Sequence, residues 1–80
     1  MLISIKTEGE NTIGLEVEEN DTIALLKELI HNTNGIRIDR QITSFAGEFL
    51  GDHRTVSDYN IQEHSTLELW VREEKLIMPA

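Results

Sequence analysis

Few residues in this chain could carry out chemistry, and their placement excludes most of the reactions they might support. His31, His53 and His64 are the candidate nitrogen ligands for a metal, but they fall in a helical stretch and two loops without ligand spacing. They read as surface histidines. Cysteine is absent, which removes thiolate catalysis, disulfides and cysteine zinc sites together. Ser57-Asp58 lies near a histidine, as in a hydrolase, yet no nucleophile elbow surrounds the serine. No enzyme activity, cofactor or metal is therefore expected. What remains is the chemistry of binding.

The charge balance narrows the partner. Fifteen acids against seven bases give a net charge of −8, so clustered contacts to nucleic-acid phosphates are disfavoured. A partner with a basic rim suits this balance better. No apolar run approaches the ~18 residues needed to span a membrane, and Met1–Lys6 lacks the layout of a signal peptide. The expectation is a monomer in the cytoplasm, the nucleus or both, with a protein as its partner.

The elements that must position a binding surface are read from periodicity. Thr22–Gly35 is the one full helix: Ile23, Leu26 and Ile30, with Leu29 beside them, form a single apolar stripe. Thr22 can cap its start, Asp21 puts a negative charge near that end, and Asn34-Gly35 supplies a left-handed stop. The flanks alternate with period two. Met1–Lys6 and Thr12–Val17 form a hairpin around Glu8–Asn11, and Ile36–Asp39 is irregular. Arg40–Phe45 is a third strand, Glu48–Leu50 a very short fourth and Thr66–Arg72 the last. Thr55–Ile61 should hold one short helical turn. One domain over residues 1–72 follows, with residues 73–80 as a flexible tail or the start of a linker. Its single helix has only a sheet to bury its stripe against, so the class is α+β.

The residues also show a family. The patterns M-x-I-x-x-K-T, T-I-x-L-E-V-E, D-T-I, G-I and F-A-G occur in order, followed by L-x-D-x-R-T-x-S-D-Y-N-I-Q and S-T-L-x-L. Aligned without a gap from Met1 to Arg72, the chain resembles the ubiquitin-like family. The resemblance implies a β-grasp fold: a five-stranded mixed sheet over one helix, with the first and last strands parallel at its centre. It also implies that Asp52 neutralises Lys27, which lies close to the apolar stripe. Tyr59 would lock the preceding loop through its hydroxyl.

Departures from the family carry the functional expectation. Ubiquitin is attached through a tail ending in Gly-Gly, whereas Arg72 is followed here by E-E-K-L-I-M-P-A, without glycine. The lysines are Lys6, Lys27 and Lys75, and Glu48 and Glu63 occupy the positions of ubiquitin's two most used linkage sites. The family's apolar recognition patch meets Glu8, Ser44, Glu48 and Glu68. Meanwhile Ile42, Phe49 and Trp70 are large and apolar where ubiquitin is polar or smaller. Strand parity turns Trp70 outward opposite Leu67, Leu69 and Val71, and turns Ile42 and Ser44 outward if Phe45 and Thr43 point in. Phe49 has the opposite parity to the core-like Leu50. The expected partner surface is therefore Ile42, Phe49 and Trp70 with Ser44, Glu48 and Glu68. It would belong to a non-conjugatable interaction domain, part of a larger protein that docks to components of the ubiquitin and proteasome pathway. A free-standing adaptor or decoy is the alternative, and a conjugated modifier is the weaker third.

Overall fold

The computed structural model of the protein describes residues 1–9 and 11–72. Five strands, β1 (Leu2–Lys6), β2 (Thr12–Glu16), β3 (Gln41–Phe45), β4 (Glu48–Phe49) and β5 (Thr66–Val71), form one sheet in the order β2-β1-β5-β3-β4. β1 and β5 are parallel at the centre, while the other three pairings are antiparallel. The helix α1 (Ile23–Asn34) lies between β2 and β3 in the chain and buries its stripe completely: Ile23, Leu26 and Ile30 are all 0% exposed. Ile3, Ile5, Leu67 and Leu69 on the two central strands share that core with Ile13, Leu15, Val17, Leu50, Val56 and Ile61. This is the β-grasp arrangement implied by the resemblance.

The ends of α1 follow from local chemistry. Thr22 Oγ1 accepts from the Leu25 amide at 3.2 Å, and Gly35, with φ of 74°, donates its amide to the His31 carbonyl at 2.7 Å. Both groups would otherwise be left without intrahelical partners. Asp21 precedes the cap, and its carboxylate accepts from the Glu18 amide at 2.8 Å, fixing the approach to the helix.

The strand bounds differ from the sequence reading in ways that hydrogen bonds explain. β3 starts at Gln41 because Ile38–Arg40 closes a 3-10 turn, with the Arg40 amide donating to the Arg37 carbonyl at 3.0 Å. The segment read as irregular therefore ends in an ordered turn. β4 contains only Glu48 and Phe49, and Leu50 leaves the strand by donating to the Thr43 carbonyl while entering the core. β2 stops at Glu16 and β5 at Val71, each one residue short of the expected end. The expected turn in Thr55–Ile61 is a 3-10 turn at Ser57–Tyr59. The tail at 73–80 lies outside the described residues, as does Glu10 in the hairpin turn.

Two long-range contacts hold the layers in place. Lys27 Nζ lies 2.7 Å from Asp52 Oδ1, with side chains 11% and 50% exposed, so the near-buried ammonium has a counter-charge that still reaches water. The Tyr59 hydroxyl accepts from the Gly51 amide at 2.6 Å, while the Tyr59 ring packs on the core.

Candidate interaction surface

The surface is assembled on the outer face of the sheet, away from α1. Register places Ile42 of β3 beside Trp70 of β5, and Ser44 between Glu68 of β5 and Phe49 of β4. Cross-strand neighbours on one face sit about 5 Å apart at Cβ, so these residues form two adjacent rows. Phe49 is 71% exposed, Trp70 46% and Ile42 37%. Together with Ser44, Gly47 and Glu68 they line an open hollow of about 350 Å³. Among the described residues, the other exposed large apolar side chains, Leu2, Leu25 and Ile38, stand on three different elements.

Two residues predicted for this surface are placed differently. Ser44 has the outward parity but is only 6% exposed, so it is the floor of the hollow rather than part of its rim. Glu48 pairs with Phe45, whose side faces the core, and therefore stands exposed at the sheet edge outside the lining. Gly47 lines the hollow instead. The signal for it was the F-A-G turn, in which Ala46 and Gly47 take φ of 53° and 82° to reverse the chain tightly between β3 and β4. Glu8 borders a smaller neighbouring hollow on the far side of Trp70, shared with Lys6.

The register inverts the usual order of burial. Thr43 is 2% exposed and faces the core, while Ile42 faces solvent. Among the described residues, Thr43 Oγ1 has no hydrogen-bond partner, so burying it sacrifices its bonds to water. Thr43→Val removes that hydroxyl without changing the shape of the side chain. It should stabilise the domain by about 1 kcal/mol. A melting temperature that falls instead would show that the hydroxyl is satisfied.

The residues with catalytic potential are used structurally. Ser57 Oγ lies 3.1 Å from Thr55 Oγ1, and the Asp58 carboxylate accepts from the Thr55 amide at 2.9 Å. The Thr55 backbone bond, and next the Thr55 side chain, hold the Asp58 pKa below the ordinary carboxylate value. A lowered folded value means this contribution is present above the unfolded pKa and is lost as pH falls through the folded one. Exchange of the Thr55 amide, corrected for its intrinsic pH dependence, should therefore lose protection as pH drops below about 4. Unchanged protection there, or the same pH response in Asp58→Asn, would contradict this assignment. Among the described residues no cluster of three His, Asp or Glu side chains has the arrangement of a metal site. A second hollow of about 530 Å³ beside α1 is lined by the Lys27–Asp52 and Arg37–Asp39 ion pairs, whose charges already satisfy one another.

The five-stranded mixed sheet in the order β2-β1-β5-β3-β4 over one helix is the β-grasp fold of ubiquitin-like proteins. The sequence model described as the Ubiquitin family matches residues 3–74, and the chain belongs to that family. It is 38% identical over 69 residues to NEDD8-like protein RUB3 of Arabidopsis thaliana, covering 86% of this chain and 88% of that protein. It is 30% identical over 79 residues to Ubiquitin-like protein 4A of Rattus norvegicus, covering 98% of this chain but 50% of the relative. Similarity to Ubiquilin of Dictyostelium discoideum is 33% over 67 residues, 84% of this chain and 13% of that one.

Proposed function

We propose that this chain is a non-catalytic interaction module of the ubiquitin family, one that is not conjugated and docks a protein partner on the outer face of β3, β4 and β5. The observation that carries this reading is the inversion at Ile42 and Thr43. A sheet selected only for stability would bury the isoleucine and expose the threonine, but here the apolar residue is presented to solvent beside Trp70 and Phe49. Local violations of folding rules tend to mark functional surfaces. A contiguous apolar patch on a small acidic domain points the same way. Glu68 in the hollow and the chain's acidic balance favour a partner with a basic rim, drawn from the ubiquitin and proteasome pathway in the cytoplasm or nucleus.

The absence of conjugation is inferred from Glu73–Ala80, which holds no Gly-Gly where the family's attached members carry theirs. Glu63 replaces a linkage lysine and is used structurally, accepting from the Leu2 amide at 2.7 Å. The competing reading is a conjugated modifier, favoured by the match to NEDD8-like protein RUB3 over most of that protein's length. Its weight is offset by the relatives matched only in part, which favour a domain within a longer protein. Incubation of the chain with ubiquitin-activating enzyme and ATP separates the two. No thiol-sensitive adduct should appear on a non-reducing gel, and a tail rebuilt as Leu-Arg-Gly-Gly after Arg72 tests whether the body is otherwise competent. An adduct with the natural tail would establish the modifier reading.

A further inference from the structure

The hollow combines features that a purely apolar docking patch does not need. Its floor is Ser44, only 6% exposed as a residue, whose hydroxyl lines the hollow. One wall is the exposed Glu68, with no cation within ion-pair distance among the described residues. Lys6 is its register neighbour across β1 and β5, but the two form no ion pair. The remaining walls are the aromatic side chains of Trp70 and Phe49, with Ile42 between them, and Gly47 leaves the turn side without a side chain.

Resting on the docking reading above, we propose that this hollow is a socket for a cationic side chain of the partner, with arginine the best fit. The partner's charge would sit inside the hollow and its apolar residues around it. A hydroxyl floor and a carboxylate wall are poor surroundings for a leucine, because both would lose water without compensation. A guanidinium satisfies both. Its planar fork can donate to Glu68 and to Ser44 Oγ together, while its face stacks on Trp70 or Phe49 and its stem lies along Ile42. Lysine provides the charge and the stem but not the flat face.

The test is selection of displayed random peptides on the immobilised chain, followed by binding measurements on the variants Trp70→Ala and Glu68→Gln. Enriched peptides should share a basic residue flanked by apolar ones. Glu68→Gln should weaken them about tenfold, since a charged hydrogen bond accounts for roughly that much. Replacing the peptide's arginine with citrulline should cost as much in the natural chain and little in Glu68→Gln, and higher salt should weaken binding. Apolar peptides that depend on Trp70 but not on Glu68 would overturn the socket and leave the docking surface standing. Peptides indifferent to both substitutions, or no enrichment at all, would count against socket and surface alike.

Discussion

Trp70→Ala is expected to weaken binding of a peptide selected on the chain by about 2 kcal/mol or more, roughly thirtyfold, while the domain stays folded. Tryptophan at the centre of an interface gives large truncation losses, because neighbouring contacts keep water away from it. Ile42 in the same row and Phe49 across β3 are placed to provide those contacts. Trp70 is already 46% exposed in the free protein, so truncation removes only part of its packing. The loss should be about 1–2 kcal/mol, short of the ~3–5 kcal/mol for a fully buried tryptophan, and should lower the melting temperature of a domain this size by roughly 4–16 °C. Peptide binding is read by calorimetry and unfolding by circular dichroism, because Trp70 is the chain's single tryptophan and the variant loses its fluorescence. A much larger drop in melting temperature with peptide binding unchanged would make the three apolar residues a cover for the sheet rather than an interface.

Ile30→Ala should behave in the opposite way. Ile30 is fully buried on the inner side of α1, and no partner can touch it without unfolding the domain. Removing three carbons there loses transfer energy and leaves a cavity, at a cost of about 2–5 kcal/mol. At ~0.05–0.15 kcal/mol per residue, a chain of 80 residues has only about 4–12 kcal/mol of stability. The loss should therefore lower the melting temperature on the order of 10–30 °C, or leave the chain unfolded at room temperature. Thermal unfolding followed by circular dichroism decides it. A shift no larger than that of Trp70→Ala would mean that the helix stripe is not the centre of the core.

The contrast between these two substitutions follows from the two faces of one sheet. The inner face is filled by α1 and rigidly determined, because each buried side chain there touches several others. Among the described residues no helix packs on the outer face, so side chains can vary there without disturbing the core.

Much of this was legible without coordinates. The stripe Ile23, Leu26 and Ile30, its Thr22 cap and its Gly35 stop depend on residues a few positions apart, and such local rules are written directly in the chain. Alternation likewise assigned Leu67 and Leu69 to the core and Trp70 to the outside. The Lys27–Asp52 contact spans 25 positions and obeys no local rule, so it was reached only through the family resemblance.

The hollow itself lay beyond the sequence. Parity says which face a residue takes, but it does not say what lies next to it on a neighbouring strand. The pairing of β3 with β4 turned Glu48 toward the edge and covered Ser44, and the pairing with β5 set Glu68 beside that serine. By itself, then, the sequence determined the elements, the core stripe and the chemical character of the outer face. Only the tertiary structure decided which of those outer residues share one cavity, because strand register is fixed by packing of the whole sheet rather than by any single strand.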